Sequence, residues 1–397
     1  MQNHTRFTLN RRRFLYTLGG GVPAALTLSA AGFAEVPSAS RFVFVLLRGG
    51  VDGLAAVVPV GDPAYPSTRG EIAFGADGLF VLDDLFRLAP GLAPLGEFWD
   101  RNELHVLHAM AIPYRTRSHF DGQAILETGM DRPDGSSDGW LNRLLQVMGS
   151  DGAGIAVAAG LPRSLSGDHP VTTWSPANLG AVDDGYIDRL HLLYRHDPRL
   201  LNAFEAALQL GDMAAVESGM SGMRRAARGP MTPVFTAAAR FIREPNGPNV
   251  AALEFNGWDT HANQGVAGGQ LDNLLRQLAD GLSTFRNEMG ALWPGTRVVV
   301  MTEFGRTARP NGTRGTDHGT AGMGLVLGSG LGRSRVIADW PGLGDSDLFD
   351  GRDLAPTLDT RAVLKGVLAS TFDLTPGQLN QIFPGSDALR PVDIGLL

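Results

Sequence analysis

The feature that most constrains the fold is an apolar run at residues 41–47, which two glycines, Gly49 and Gly50, bring to an end. A strand that is apolar at successive positions is typical of a parallel sheet, where strands are buried on both faces. Further short apolar runs predict more strands at residues 104–110, 154–159, 250–255, 297–301 and 323–327. A sheet of such strands needs helices on both of its faces to cover it.

Helical stretches separate these runs. Residues 82–100 have a helical periodicity that Pro90 and Pro94 interrupt, which predicts two short helices. The alternation of strands and helices predicts an α/β domain over residues 41–397, with a mostly parallel sheet and helices on both faces. Within it, residues 187–243 are mainly helical and could form a cap or an insertion. The remaining helices are predicted at residues 120–128, 140–148, 187–210, 213–228, 234–243, 271–289 and 360–372.

The first 34 residues predict a twin-arginine signal peptide. Arginines at residues 11–13 precede Phe14 and Leu15, and a weakly apolar stretch rich in glycine and alanine follows up to Ala34. This stretch is short of the roughly 20 strongly apolar residues that a membrane span needs. A basic N-terminal helix of the folded domain is the disfavoured alternative, because no acidic residue precedes Glu35. We therefore expect export by the twin-arginine translocase, no stable membrane anchor, and a periplasmic or secreted mature protein.

The amino-acid composition excludes several kinds of site and partner. The sequence has no cysteine, which excludes disulfides, thiolate metal ligands, c-type haem and a cysteine nucleophile. Its net charge at pH 7 is −7, and removal of the signal with its four arginines makes it more negative still. With no basic stripe interleaved with aromatic residues, nucleic acid is not expected as a partner.

Polar residues gather where the predicted strands end, which is where open α/β sheets bind their ligands. Oxygen ligands mixed with imidazole favour Zn, Mn, Mg or Ca over copper or an iron–sulfur cluster. The sequence therefore predicts a divalent metal site of one or two ions. Its candidate ligands are Asp52, Asp259, His261, Glu303, Asp317 and His318, and its candidate catalytic residues are Ser118, His119, Arg117 and Arg306.

Several candidates also have a simpler structural interpretation. Asp52 and Ser118 could each do no more than cap a helix. Arg117 could hold a phosphate or sulfate group, or could simply be solvated. Asp259 could belong to a locally hydrogen-bonded turn, and Asp317 could lie in a surface loop.

Two other positions are informative because they lie in or next to apolar runs. Glu303 comes directly after one, where a carboxylate is costly to bury without a partner, although Arg306 could merely neutralise it. His105 and His108 are three apart within a predicted strand, so they face opposite sides and are predicted to be core or interface residues.

A set of motifs resembles those of a large family of bacterial twin-arginine-exported proteins that carry a domain of unknown function, and the alkaline phosphatase and sulfatase superfamily to which that family is similar. The resemblance covers nearly all of the mature chain. The motifs are LRGGVDG at residues 47–53, RSHF at 117–120, WDTH at 258–261, TEFGRT at 302–307, TDHG at 316–319 and DTRAV at 359–363.

The resemblance implies an alkaline phosphatase-like α/β sandwich with two metal ions and a serine, threonine or formylglycine nucleophile that attacks a phosphate or sulfate ester. By position, it makes Asp52 the metal ligand of the first strand and Ser118 the nucleophile at a helix start. It likewise makes Asp259, His261 and His318 ligands of the other metal.

Two departures from the superfamily pattern bear on this site. Glu303 stands where phosphatases have an aspartate, and Phe304 occupies the position where a metal-binding histidine would follow. Asp259 and His261 are also closer together in sequence than the corresponding pair in phosphatases. A single metal ion, or an altered pair, is therefore expected.

The expected function is that of an exported, metal-dependent hydrolase of small anionic phosphate or sulfate esters. Ser118 is the expected nucleophile, His119 a proton carrier for the leaving group, and arginine a stabiliser of the developing charge. The alternative is a non-catalytic periplasmic protein that uses the same fold to bind an unknown ligand or partner.

Overall fold

The computed structural model describes residues 40–149, 152–175, 201 and 231–395. The signal peptide predicted at residues 1–34 lies outside this range. So do the helices predicted at 187–210, apart from residue 201, and at 213–228. Among the described residues, no helix is both long and apolar enough to cross a membrane.

The described fold is built on a nine-stranded sheet. Its strand pairs are all parallel except the two that β10 makes, with β5 and with β9. In spatial order the strands are β11 (Arg335–Ile337), β5 (Leu104–Ala111), β10 (Gly322–Leu327), β9 (Thr296–Thr302), β1 (Arg41–Arg48), β8 (Val250–Asn256), β6 (Gly154–Val157) and β7 (Val171–Trp174), and β12 (Leu358–Asp359) also pairs with β5. A small antiparallel sheet has the order β2 (Val57–Val58), β4 (Arg87–Leu88) and β3 (Phe80–Val81).

Helices cover both faces of the large sheet. Along β1, alternate side chains enter two separate apolar cores, with Val43, Val45 and Leu47 in one and Phe42, Phe44 and Leu46 in the other. Burying an aliphatic or phenyl side chain of this kind contributes about 1.5–3 kcal/mol. This arrangement confirms the α/β fold class with a mostly parallel sheet between two helical layers.

The helices divide between the two cores. Those that supply the core containing Val43 include α6 (Thr232–Arg243) and α7 (Gln270–Met289). Those that supply the core containing Phe42 are α4 (His119–Thr128), α5 (Trp140–Met148), α8 (Thr360–Phe372) and α9 (Pro376–Ile382). The short helices α1 (Gly53–Ala56), α2 (Tyr65–Arg69) and α3 (Gly96–Asp100) lie in the connection between β1 and β5.

The prediction of two short helices at residues 82–100 is wrong in its first half. Residues Arg87–Leu88 form strand β4 of the small sheet, and a 3₁₀ helix at Pro90–Leu95 then leads into α3. Pro94 has no N–H to donate within a helix, and β2 offers Arg87 and Leu88 backbone partners that local periodicity does not reveal. The strand predicted at 154–159 ends earlier, at Val157.

The direction of β10 determines where the candidate residues meet. Parallel strands β1, β8 and β9 end at the same edge of the sheet, whereas the antiparallel β10 begins there. The loop that precedes β10, with Asp317 and His318, therefore meets the loops that follow the other three strands.

Candidate metal centre

Three histidines from three different segments converge at this edge. His119 is the first residue of α4, His261 follows β8, and His318 precedes β10. His318 Nε2 lies 2.9 Å from His119 Nε2 and 2.9 Å from His261 Nε2. Such a convergence of ring nitrogens is a natural place for a cation.

Asp259 adds a carboxylate to these rings. Its Oδ1 lies 3.0 Å from His261 Nε2 and 3.3 Å from His318 Nε2, and its Oδ2 lies 3.5 Å from His119 Nε2. One ligand atom from each of His119, Asp259 and His318 lies within 4.8 Å of the others, which makes these residues able to hold a metal ion. His261 contacts two of the three.

The second nitrogen of each ring, Nδ1, faces a hydrogen-bond acceptor. His119 Nδ1 lies 2.8 Å from Glu303 Oε1, His261 Nδ1 lies 3.2 Å from Asp317 Oδ1, and His318 Nδ1 lies 3.1 Å from the carbonyl oxygen of Arg117. Carboxylates and carbonyls accept but do not donate, so a neutral ring in each place carries its proton on Nδ1 and turns a lone pair inward. Inward lone pairs 2.9 Å apart repel unless a proton or a metal ion lies between them, and acceptors at Nδ1 are what metal-binding histidines usually have. The residues therefore fit a divalent metal ion.

Glu303 is a fully buried partner of this centre. Its Oε1 accepts from Gly49 N at 2.9 Å and from Gln123 Nε2 at 3.0 Å as well as facing His119, and its Oε2 accepts from Thr302 Oγ1 at 3.1 Å. Burial raises the pKa of Glu303, but hydrogen bonds from His119 and Gln123 bring it below its ordinary value. The predicted ligand thus binds a histidine of the centre and lies outside the group of three.

Arg306 holds Asp259 in position. The guanidinium is buried and donates to Asp259 Oδ1, and its Nε donates to Thr316 Oγ1 at 3.2 Å. Partial burial raises the pKa of Asp259, but the Arg306 hydrogen bond and charge lower it on balance. The donors of Arg306 are therefore engaged within the protein. The sequence suggested that Arg306 could neutralise Glu303, but in the structure its charge is paired with Asp259.

Asp317 supports His261 from the outside. Its Oδ1 accepts from Asn311 Nδ2 at 3.0 Å and faces His261 Nδ1. The Asn311 hydrogen bond lowers the pKa of Asp317, and the contact with His261 lowers it further. Asp317 thus lies outside the group of three, and its role as a metal ligand stays a prediction.

Asp52 lies apart from the three histidines. Its buried carboxylate pairs with the buried Arg69, accepts from Gln264 Nε2 at 2.7 Å, and caps α1 by accepting from Ala55 N at 3.3 Å. Asp52 therefore caps a helix through Oδ1, as the simpler interpretation suggested. Its Oδ2 is occupied by Arg69 and Gln264. Its role as a metal ligand stays a prediction.

Ser118 and Arg117 immediately precede α4. Ser118 caps the helix, with its Oγ accepting from Asp121 N at 3.4 Å. The Arg117 guanidinium donates to Asp353 at 2.7 Å and to Asp350 at 3.0 Å. Arg117 thus reaches the centre through its carbonyl oxygen on His318, while its charged group is paired elsewhere.

Phe304 forms an apolar wall of the centre. Its buried ring lies 4.8 Å from the His119 ring and 5.3 Å from the His318 ring, centroid to centroid. A Cβ atom at Gly50 would approach this ring to 2.7 Å, so the loop after β1 packs tightly against it. A phenyl ring provides no ligand atom, so this side of the centre is apolar.

Glycines allow the loops of the site to approach one another. Gly49 has φ +130°, and a Cβ there would lie 2.5 Å from Asp259 N. A Cβ at Gly315 would lie 2.3 Å from the carbonyl carbon of His261. Any larger residue at either position would push apart the loops that carry Asp259 and His261.

Sequence reasoning missed four polar residues around the centre. These residues are Arg48, Arg69, Gln123 and Gln264, and all of them hydrogen-bond to other polar side chains. One signal was available, because Gln123 lies four residues after His119 and so shares its helix face. The side-chain partners of Arg48 and Arg69, and Asp52 as a partner of Gln264, lie at least 17 residues away and become visible only in the folded chain.

A family model described as “Protein of unknown function (DUF1501)” matches residues 104–383. The match covers well over half of the 397 residues and confirms the kind of family that the motifs resemble. No curated protein matches the chain.

Solved structures that resemble the chain include members of the superfamily predicted from the motifs. An alkaline phosphatase superfamily protein from Vibrio parahaemolyticus is 12% identical, with TM-score 0.37 and coverage of 88% of this chain and 71% of that one. The periplasmic domain of EcEptC from Escherichia coli, in complex with Zn, is 12% identical, with TM-score 0.37 and coverage of 75% and 76%. The sulfatase PsFucS1 from Pseudoalteromonas sp. is 10% identical, with TM-score 0.36 and coverage of 75% and 64%. At such identities and scores, the chemistry of this chain must be argued from its own residues.

Proposed function

The chain belongs to the DUF1501 family, and we propose that it is an exported hydrolase of phosphate or sulfate esters that depends on one divalent metal ion. The observation that carries the proposal is the convergence of three histidine Nε2 atoms beside Asp259, each ring having an acceptor at Nδ1. Export by the twin-arginine translocase to the periplasm or beyond is part of the proposal and rests on residues 1–34 of the sequence.

His119, His261, His318 and Asp259 would hold the ion. Three imidazoles and one carboxylate suit Zn²⁺ better than Mg²⁺ or Ca²⁺, which prefer oxygen ligands. The ion would supply Lewis acidity to an oxygen of the bound ester. Asp259 is kept ionised by Arg306, and Phe304 shields one side of the histidine rings from water.

Ser118 is the proposed nucleophile. It precedes His119 in the chain and lies at the N-terminus of the ten-residue helix α4. A helix N-terminus stabilises an anionic oxygen there through its dipole and free N–H groups. Ser118 Oγ would form a bond to phosphorus or sulfur as the bond to the leaving oxygen breaks, and the hydroxyl proton would go to that oxygen. Water would then displace Ser118 in a second step, releasing phosphate or sulfate and restoring the hydroxyl group.

The test combines metal analysis of the purified mature protein with hydrolysis of aryl phosphate and aryl sulfate esters. We expect about one zinc per chain and metal-dependent turnover, because His119, Asp259 and His318 gather around one position and His261 contacts two of them. His318→Gln should lose both. The control is His169→Gln, since His169 bonds the carbonyl of Gly152 away from the centre and its loss should change neither.

Each outcome decides something different. A protein without stoichiometric metal would contradict the metal centre. Metal without turnover of either ester would favour the alternative, a periplasmic binding protein. The pairing of Arg117 with Asp350 and Asp353 favours that alternative, because it leaves this guanidinium engaged and not free to bind an anion.

A further inference from the structure

A chain of hydrogen bonds runs from the end of β1 to the metal centre. Arg48 Nη1 donates to Gln123 Oε1 at 2.7 Å, and Gln123 Nε2 donates to Glu303 Oε1 at 3.0 Å. The same Glu303 oxygen lies 2.8 Å from His119 Nδ1. These contacts connect β1, α4 and the loop after β9, and they end at His119.

Arg48 determines which group donates and which accepts in each of these hydrogen bonds. A guanidinium can only donate, so the atom of Gln123 that faces Arg48 must be the amide oxygen. The amide NH₂ then necessarily faces Glu303, whose carboxylate accepts. His119 must in turn donate from Nδ1, which in the neutral ring leaves the Nε2 lone pair facing His318 and Asp259.

Arg48 is itself held by two carboxylates. Its Nη2 donates to Glu127 Oε1 at 2.8 Å and also to Glu254 Oε1. Glu127 is buried and accepts from Ser164 N at 3.1 Å through its other oxygen. The guanidinium thus bridges three acceptors, and neither carboxylate belongs to the centre of three histidines.

We propose that Arg48 and Gln123 are positioning residues which, through Glu303, set the tautomer and orientation of His119 at the metal centre. Gln123 is the residue to substitute. Glu303 Oε1 faces three donor groups, and removal of the Gln123 amide removes one of them. A carboxylate with fewer donors can rotate, and His119 can then carry its proton on either nitrogen. The inference rests on the proposed function only for the presence of the ion.

The experiment compares the mature wild type with Gln123→Met, which conserves length but neither donates nor accepts strongly. The first measurement is the ring ¹⁵N spectrum of histidine-labelled, metal-free protein, with His119→Gln used to assign the His119 signals. We expect a single Nδ1–H tautomer for His119 in the wild type and a mixture in Gln123→Met. The second measurement is zinc affinity by chelator competition, which should fall by about 10–100-fold in Gln123→Met.

Two further variants make the result specific. Gln146→Met is the matched control, since the Gln146 side chain donates to Asn142 on the same helix α5 at 2.9 Å, and it should behave as the wild type. Arg48→Lys keeps the charge but gathers its donors on one nitrogen and loses the planar fork that reaches Gln123 and the two carboxylates from separate nitrogens, so an intermediate effect is expected.

The inference is overturned if Gln123→Met keeps a single Nδ1–H tautomer at His119 and binds zinc within twofold of the wild type. If the wild type binds no zinc but the His119 tautomer still depends on Gln123, the positioning chain stands and the proposed function fails. Zinc binding and hydrolysis that are both indifferent to Gln123 would leave the proposed function standing and remove the positioning role.

Discussion

At the scale of single residues, Glu303 shows how a charged group is accommodated directly after an apolar strand. Burial on its own raises the pKa of Glu303 and disfavours its ionised form. Hydrogen bonds from His119, Gln123 and Gly49 act in the opposite direction and leave the pKa lowered. An ionised carboxylate only accepts, so it fixes the proton of His119 on Nδ1.

Glu303→Gln tests this role at constant size. The new amide can turn its NH₂ group toward His119 and so favour the tautomer with its proton on Nε2, where a metal would bind. We expect zinc affinity to fall by about 10–100-fold, measured by chelator competition. Glu97→Gln is the control, because Glu97 lies in an exposed ion pair with Arg101. Unchanged affinity in Glu303→Gln would contradict the orienting role.

At the scale of elements, α4 supplies three parts of the site. Ser118 caps it, His119 is its first residue, and Gln123 follows one turn later on the same face. On its buried face, Ile125 and Leu126 pack into the core against the sheet. This packing fixes the direction of the helix and so points its N-terminus at the centre.

Two substitutions at Ser118 separate capping from catalysis. Asparagine caps a helix about as well as serine, whereas alanine costs about 0.5–2 kcal/mol of stability. We expect Ser118→Asn and Ser118→Ala both to lose ester hydrolysis, because neither has a hydroxyl group, and only Ser118→Ala to be less stable to urea. Turnover by either variant would argue against Ser118 as the nucleophile, and equal stability would argue against the cap.

At the scale of the whole molecule, the two cores account for His105 and His108 on β5. Both are fully buried, and they bond groups on opposite sides of the strand, as predicted. His105 Nε2 lies 3.0 Å from the carbonyl of Leu331, and His108 Nε2 lies 3.1 Å from the carbonyl of Val57. His108 Nδ1 also accepts from Ala109 N at 2.8 Å, so the ring donates on one side, accepts on the other and is neutral.

These buried rings make the stability of the fold depend on pH. Burial lowers the pKa of His108 to about 4 and lowers that of His105 as well. The unfolded chain therefore binds more protons between pH 6.5 and 4, and the free energy of unfolding falls as the pH falls through that range. His108 alone should account for roughly 3 kcal/mol of the loss.

The measurement is urea denaturation as a function of pH. His108→Gln removes the titrating ring, so its stability should vary less between pH 6.5 and 4 than that of the wild type. His169→Gln, at a half-buried position, should follow the wild-type curve. A wild-type curve that is flat in this range would contradict the neutral core histidine.

Much of the fold could be predicted because its signals are local. The runs at residues 41–47 and 104–110 became β1 and β5, and the helix predicted at 360–372 is α8 with the same limits. The short strands β7, β11 and β12 were missed, since each has two to four residues and depends on a neighbouring strand for its backbone partners. The signal peptide and the helices predicted at residues 187–210 and 213–228 stay predictions.

The site, like the fold, has features that the sequence determines and features that depend on the tertiary structure. The sequence by itself determined that Asp, Glu and His residues follow strand ends, because apolar runs and the polar residues that end them are adjacent in the chain. Only the tertiary structure decided that His119 meets Asp259 and His318, that His261 meets the same two residues, and that Asp52 pairs with Arg69. That outcome depends on which strands are neighbours and on the reversed direction of β10. Backbone hydrogen bonds between distant segments set both, and the periodicity of a single segment carries no information about its neighbours.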